Sequence, residues 1–132
     1  MKAFTFRLET LLQLREMSKD KAMKNYALAI SNRENAEVEL RNAVKSLEIL
    51  NQDIVIKRTS GFSGHEQENF NQSINRKKGE IIDFNSKLAD SKNIESAKRK
   101  IYLEADSNCK SLLKLKNKKR SEHLKTEEKK EE

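Results

Sequence analysis

Apolar residues in the first half of the chain recur at alternating spacings of four and three positions, from Leu8 to Ile54. Eleven of the fourteen positions reached in this way are apolar, and no Pro or Gly interrupts the series. A mean spacing of about 3.5 residues keeps one stripe of a helix against a partner helix. The pattern therefore predicts a coiled-coil helix over about residues 5–57.

The second half carries a similar series from Phe70 to Leu112, which is apolar at both ends and polar in the middle. Between Leu88 and Tyr102 the apolar residues, such as Ile94, are each displaced by one residue towards the N-terminus from the positions of the series. A displaced apolar stripe changes the local winding of a coiled coil. We therefore expect the contact face of this helix to slip in its polar middle.

A short break separates the two series, at residues 59–64 with the sequence TSGFSG. Gly61 can adopt the positive φ that ends a helix, and Ser63 with Glu66 has the spacing of a capping box. So short a connection favours antiparallel packing of the two helices. The predicted fold is all-α, a long antiparallel two-helix coiled-coil hairpin forming one domain over residues 1–132. Its loop is expected at about 58–63, its second helix at about 64–120 and a frayed tail at about 121–132.

Folding the chain about this loop sets small seam residues opposite bulky ones. Ala22 is expected to face Tyr102, and Arg33 to lie near Ser91 and Glu95. Because either seam can slide by about seven residues with modest loss, other registers stay open.

The amino-acid composition favours paired helices and argues against a wide hydrophobic core. Of 132 residues, 37% are charged and only 5% aromatic, too few large side chains to fill a thick interior. The net charge of +7 favours an acidic partner. A single cysteine suits a reducing compartment, and neither a signal peptide nor a membrane-spanning run is evident, so a cytoplasmic location is expected.

Residues that could carry chemistry are few and scattered. His65 and His123 lie far apart, and neither has a Cys or His at metal-ligand spacing. Cys109 falls on the seam, where a small buried apolar residue is the simplest interpretation. Gly61 and Gly64 are not followed by the Lys-Ser/Thr pair of a phosphate-binding loop. We predict no catalysis, no metal and no cofactor.

The basic run at residues 110–120 has two interpretations. It holds six basic residues and no acidic one. It is either a solvated helix end or a docking site for an acidic partner. Nucleic acid is disfavoured, because aromatic residues for base stacking do not accompany the charges.

The opening stretch also has two interpretations, since Leu11 and Leu14 lie off the seam. They belong either to a thicker local core closed by Leu112, Leu113 and Leu115, or to a second binding surface.

The opening sequence FTFRLETLLQLRE resembles the FliJ family of flagellar export proteins. The matching motif is aromatic-x-aromatic-x-Leu-x-x-Leu-Leu-x-Leu-Arg, here Phe4, Phe6, Leu8, Leu11, Leu12, Leu14 and Arg15. The specific likeness covers only this stretch, while the architecture agrees over nearly the whole chain. The YscO-type proteins of injectisome export are the nearest alternative family.

This resemblance implies a non-catalytic cytoplasmic stalk or adaptor, peripherally associated with the inner-membrane export apparatus. Its partners would be the hexameric flagellar export ATPase, the export gate protein at the membrane and export chaperones, without nucleic acid or an integral membrane segment. The residues assigned to the ATPase ring are Phe4, Phe6, Arg7, Leu11, Leu14, Lys118, Lys119 and Arg120. Those assigned to the gate are Leu50, Phe70 and Ile74.

Two other functions compete with this one. The chain could be a generic coiled-coil adaptor or spacer, or a basic helical hairpin that binds nucleic acid. Salt-dependent binding to arbitrary DNA would favour the latter. Specific stimulation of an ATPase would favour the export stalk.

Overall fold

Two long helices make up nearly all of the chain in the computed structural model, which describes residues 2–131. Helix α1 spans Glu9–Ser60 and helix α2 spans Gly64–Glu131, and no strand occurs among the described residues. Met1 and Glu132, the outer limits of the predicted domain, lie outside that range. The fold is an all-α helical hairpin, as the sequence predicts.

The chain divides into two compact units. The terminal unit is Met1–Leu28 together with Ser96–Glu132, and the loop unit is Ala29–Glu95. Because each unit includes a segment of both helices, each has its own contacts between α1 and α2.

The predicted seam is the contact face of α1. From Leu12 to Ile54 every seam position is buried or half-buried, whereas Leu8 at its beginning is 36% exposed. Four buried seam residues are alanines spaced seven apart: Ala22, Ala29, Ala36 and Ala43. Small side chains allow a facing helix to approach towards the short end of the ~8–10 Å range. The buried interior is therefore a narrow stripe.

The seam of α2 does not slip, contrary to the prediction. Ser91 and Glu95 stay half-buried on the contact face, while Ile94 and Ile101 are 53% and 52% exposed. An ion pair explains this: Arg33 Nε donates to Glu95 Oε2 at 2.8 Å, and Arg33 Nη2 donates to Oε1 at 3.3 Å. Two charge-assisted bonds satisfy a guanidinium inside the seam, and moving the isoleucines inward would separate them.

Arg33 joins carboxylates from both helices in the loop unit. Besides Glu95 on α2, it contacts Glu37 on α1, with Nη1 donating to Oε2 at 3.2 Å. The hydrogen bond to Glu95 is the main cause that raises the pKa of Arg33; partial burial opposes it, and the charges of both carboxylates add to it. The expected proximity of Arg33 and Glu95 is confirmed.

Both ends of the terminal unit differ from the prediction. α1 begins at Glu9 rather than near residue 5, and α2 continues to Glu131 rather than fraying after about residue 120. One arrangement accounts for both differences. Residues 2–8 form a non-helical segment along the end of α2, and Phe6 within it packs against a buried cluster from both helices.

The loop is shorter than expected, because α1 extends to Ser60. The hydroxyls of Thr59 and Ser60 donate to the carbonyl of Ile56 at 2.7 and 3.3 Å, which satisfies a carbonyl at the helix end. Gly61 follows with a φ of 81°, in the left-handed region that favours glycine. The amide of Glu66 then donates to Ser63 Oγ at 3.2 Å at the beginning of α2, as the capping spacing predicts.

Replacing Leu12 by Ala should destabilise the chain far more than the same change at Leu14. Leu12 is 2% exposed in a cluster with Cys109 and Leu112, whereas Leu14 is 54% exposed. Deleting a buried leucine side chain costs about 2–5 kcal/mol, and we expect the lower end because a narrow seam can partly collapse. Leu14→Ala should cost less than about 0.5 kcal/mol. Urea unfolding of both variants measures the difference, and equal losses would contradict the burial pattern.

Arg15→Cys should form a disulfide with Cys109 within one chain under mild oxidation. Arg15 Nη1 donates to the carbonyl of Asn108 at 3.1 Å, and Cys109 is the buried seam residue next to it. Ala22→Cys, one heptad further along α1, is the matched control and should not crosslink. Non-reducing electrophoresis and peptide mapping identify the bond. Preferential crosslinking of the control would show a register shifted by one heptad.

Candidate functional site

Residues 2–8, the N-terminal strap, lie against the last turns of α2. The Phe4 ring lies 5.7 Å from the His123 ring, with an angle of 50° between their planes. His123 Nε2 lies 3.0 Å from the carbonyl oxygen of Lys2, and because a carbonyl only accepts, Nε2–H is the donor. This aromatic contact and this hydrogen bond, together with the packing of Phe6 against the buried cluster, hold the strap against the helices.

A cleft of about 700 Å³ lies between the strap and α2. Phe4, Phe6 and Leu8 contribute its apolar lining from the strap, and Leu115 contributes from α2. Its polar lining includes three cationic side chains, Lys2, Arg7 and Lys119, together with Thr5, Glu122, His123 and Thr126. The cleft thus combines an apolar surface with a basic rim.

A second cleft of about 440 Å³ borders the same two phenylalanines. Glu9, Lys116 and Arg120 line it beside Phe4 and Phe6. Lys116 Nζ lies 2.9 Å from Glu9 Oε2, so an ion pair joins the beginning of α1 to α2 at this cleft.

Five of the eight residues assigned to the ATPase ring lie together in the terminal unit. Phe4 and Phe6 are half-buried and line both clefts. Arg7 and Lys119 line the larger cleft, and Arg120 lines the smaller one. The strap therefore brings the two ends of the sequence together.

The other three residues do not line these clefts. Leu11 and Leu14 are 38% and 54% exposed on α1, and Lys118 is exposed on α2. Of the residues expected to close a thicker core, Leu112 is buried but Leu113 and Leu115 are 42% and 36% exposed. The local core is thus smaller than that interpretation requires.

The basic run at residues 110–120 begins with an ion-pair network at Asp106. Lys110 Nζ lies 2.8 Å from Asp106 Oδ2, and Lys19 Nζ from α1 lies 3.5 Å from Oδ1. The hydrogen bond from Lys110, with a further contribution from Lys19, lowers the pKa of Asp106, although partial burial opposes it. The same hydrogen bond raises the pKa of Lys110. This part of the run is structural.

Other cations of the run remain available for a partner. Lys119 pairs only at 3.7 Å with Glu122 on its own helix. Among the described residues, Lys114, Lys118 and Arg120 form no ion pair. The sequence assigned these charges either to solvent or to docking, and this geometry is compatible with both.

The positive charge of the chain is concentrated in the terminal unit. That unit contains 18 Lys and Arg against ten Asp and Glu, a net charge of +8. The loop unit contains ten against 11, a net charge of −1. An acidic partner should therefore prefer the terminal unit.

The residues assigned to the gate lie in the loop unit, and all three are half-buried. Leu50 and Phe70 line one cleft of about 330 Å³, whereas Ile74 does not line it. The Phe62 ring contacts Phe70 edge-on at 5.9 Å, with an angle of 78° between the planes. Phe62, treated only as a loop residue by the sequence analysis, therefore supports this cleft.

Sequence reasoning also missed His123 and Lys116 as members of the terminal site. His123 was placed in a frayed tail, yet both residues are half-buried. A signal was present, because continuing the 4-3 series beyond Leu112 reaches Lys116 and His123. The charged composition of the tail concealed it.

Residues 2–131 contain neither a metal site nor a membrane-spanning helix. No group of three or more His, Cys, Asp or Glu residues is arranged to hold a metal ion. Neither helix has a described stretch that is long and apolar enough to cross a membrane.

Narrow antiparallel helix packing and exposed apolar and basic surfaces define a coiled-coil hairpin suited to protein contacts. A family profile described as "Flagellar FliJ protein" matches residues 4–132. A curated relative, the Flagellar FliJ protein of Bacillus subtilis (strain 168), is 27% identical over 116 residues, which cover 88% of this chain and 79% of the relative. No solved structure matches. The chain belongs to the FliJ family, and it is a protein associated with flagellar export.

Replacing His123 by Ala should release the N-terminal strap without unfolding the helices. The substitution removes the hydrogen bond to the Lys2 carbonyl and the ring contact with Phe4. Loss of the hydrogen bond alone, about 1 kcal/mol, should raise the population with a detached strap about fivefold, and with it the rate of trypsin cleavage after Arg7. Leu124→Ala is the matched control, because Leu124 is 46% exposed and does not line the cleft. Mass spectrometry of timed digests measures both rates. Equal rates in the two variants would exclude His123 as the fastening point.

Proposed function

We propose that the chain is a non-catalytic stalk or adaptor of the flagellar type III export apparatus. In this proposal it works in the cytoplasm, peripherally associated with the inner membrane. Its terminal unit binds the hexameric export ATPase, and its loop unit contacts the membrane export gate. Export chaperones carrying substrates are further partners. The observation that carries the proposal is the exposure of Leu11 and Leu14 on the unit with net charge +8.

Apolar contact supplies the affinity for the ATPase in this proposal. Complete burial of a leucine side chain contributes about 1.5–3 kcal/mol, and Leu11 and Leu14 retain part of that area for a partner. The seam does not account for either residue. Their exposure costs little in an isolated hairpin but favours association when a partner covers them.

The basic residues have a different role, which is to orient and accelerate the encounter. Arg7 and Lys119 at the larger cleft and Arg120 at the smaller one present positive charge beside the strap. Lys118 adds a charge outside the clefts. Long-range attraction of this kind acts mainly on association rates and weakens with salt.

Phe4 and Phe6 act indirectly in this proposal, since their rings are half-buried within the terminal unit. They hold the strap in place, and the strap in turn positions Arg7. The resemblance assigned them to the contact itself, so this distinction refines their expected role.

The gate contact is proposed for the cleft in the loop unit. Leu50 and Phe70 line this cleft beside Lys57 and Glu66, which gives an apolar surface with charges of both signs at its rim. Ile74 is half-buried on the same helix as Phe70 and supports the seam there.

The double variant Leu11→Ala with Leu14→Ala should abolish stimulation of the cognate ATPase while the helices remain folded. Both side chains lie largely outside the core, so their loss should affect docking more than stability. Steady-state ATP turnover with increasing amounts of the chain measures stimulation, and circular dichroism measures helicity.

The matched control for this experiment is Met23→Ala with Leu103→Ala. These residues are 46% and 47% exposed, and they belong to the same unit. The control should stimulate like the unmodified chain. Full stimulation by the double-leucine variant would reject the ATPase contact and favour a generic adaptor.

Phe70→Ala should weaken binding to a soluble gate fragment and leave helicity nearly unchanged. Phe70 is half-buried and contacts Phe62, so the substitution opens the cleft without removing a fully buried core residue. Ile82→Ala, at a 69% exposed position of the same unit, is the control. Titration calorimetry measures binding. A parallel loss of helix and binding would make Phe70 a structural residue instead.

A further inference from the structure

The terminal unit has two chemically different sides. Along each helix the seam residues belong alternately to two sets, one reached by a step of four and the other by a step of three. In an antiparallel pair, the residues that immediately precede one set lie on the same side of both helices, and the residues that immediately follow the other set lie on the opposite side. Asp106 and Arg120 follow seam residues on α2, and Glu9 follows one on α1. Glu9 and Arg120 line the same cleft, which confirms that they share a side. Met23 and Leu113, which are 46% and 42% exposed, lie on this side as well, but most of its positions are charged. We name this the charged side.

The opposite side, which we name the apolar side, carries exposed branched residues from both helices. Leu11 precedes a seam residue of α1, and Ile101 and Leu115 precede seam residues of α2. Leu115 shares the larger cleft with Leu8, so residues of both helices meet there. The exposed fractions on this side are 38% for Leu11, 52% for Ile101 and 36% for Leu115.

Neighbouring positions extend the apolar side along the unit. Leu14 and Leu28, which lie next to it on the outer surface of α1, are 54% and 61% exposed. The positions just before seam residues within this stretch include Ser18 and Asn25 on α1 and Asn108 on α2, which are uncharged, whereas Lys21 and Glu104 add charges on the outer surfaces. An extended apolar strip of this kind suits the apolar stripe of another helix.

Charge decides which helix this strip accommodates. Pairing two copies of the terminal unit would bring two net charges of +8 together, which opposes self-association. A helix with acidic residues beside its apolar stripe would instead meet Arg7, which lines the larger cleft with Leu115, and Lys118, which follows Leu115 by about one helical turn. Neither residue forms an ion pair within the described part of the chain. Charge complementarity therefore selects a different, acidic-flanked helix.

We propose that the apolar side of the terminal unit is the docking surface for one amphipathic helix of a partner, with an apolar stripe flanked by acidic residues. The surface includes α2, through Ile101 and Leu115, as well as the leucines of α1. This inference rests on the proposed function, in which the helix belongs to a subunit of the export ATPase. It adds a side, a second helix and a partner chemistry to that contact.

A pair of substitutions on α2 tests the assignment. Ile101 and Leu103 are 52% and 47% exposed, and at about 100° per residue they point to opposite sides of the helix. Ile101→Glu and Leu103→Glu therefore remove similar apolar area and add the same charge. Binding of each full-length variant to the purified cognate ATPase hexamer is measured by biolayer interferometry, and thermal melting by circular dichroism checks the fold.

Ile101→Glu should weaken binding about tenfold, whereas Leu103→Glu should stay within about twofold of the unmodified chain. Similar losses for both variants would overturn the docking side. If Ile101→Glu retains binding while Leu11→Ala with Leu14→Ala loses it, the docking surface does not include α2 and the proposal is overturned, although the proposed ATPase contact stands. If none of these variants changes binding, the proposed ATPase contact fails as well.

Sedimentation equilibrium of the chain alone tests whether a second copy of the chain covers the apolar side. The proposal predicts a monomer over the accessible concentration range, because the positive charge opposes pairing. A dimer that Ile101→Glu dissociates and Leu103→Glu leaves intact would show that a second copy, rather than an acidic-flanked helix, covers the apolar side.

Discussion

A narrow seam is the constraint on which the rest of the structure depends. Four alanines at heptad spacing occupy buried positions of α1, so the helices can approach closely but enclose little volume. Such an interface has little room for large apolar residues outside the stripe, and within residues 2–131 eighteen large apolar side chains, Leu8 of the seam among them, are at least 36% exposed. Because the seam is narrow, an extensive apolar surface stays exposed, and part of it is available to partners. Arg33 and Glu95 add specificity, because they bring a bidentate charged pair into a stripe that apolar contacts alone would leave free to slide.

The periodicity of the sequence predicts the fold wherever contacts between the helices repeat along the chain. Burial along α1, the proximity of Arg33 to Glu95 and the cap at Ser63 all follow from spacing within the sequence. Spacing could not reveal the N-terminal strap, because residues 2–8 are not helical and their contacts with α2 are distant in sequence. The polar middle of α2 misled the prediction for a related reason. By hydrophobicity alone, Glu95 interrupts the apolar seam. Its ion pair with Arg33 explains why a glutamate is favourable at that position.

The candidate site, too, follows from the sequence only in part. Sequence reasoning identified Leu11 and Leu14 because they fall off the seam, and exposure of their side chains agrees with that reading. It could not assign them to a side, since that requires knowing which residues of α2 lie next to them. In the terminal unit, Glu9 and Asp106 form ion pairs on one side, whereas Leu11, Ile101 and Leu115 are exposed on the other. An excess of positive charge in this unit complements the apolar strip, because it favours an acidic partner over a second copy.

If the terminal unit binds the export ATPase as a stalk, as proposed, it lies in the central opening of the hexameric ring. A single asymmetric chain inside a closed ring breaks its symmetry and excludes further copies, whereas an adaptor on the outer surface would find the same site on every subunit. Native mass spectrometry of the purified complex measures this stoichiometry directly, with the chain in excess over the ATPase. The account predicts one chain per hexamer, unchanged as the excess increases. Several chains on one hexamer, rising towards one per subunit, would contradict it.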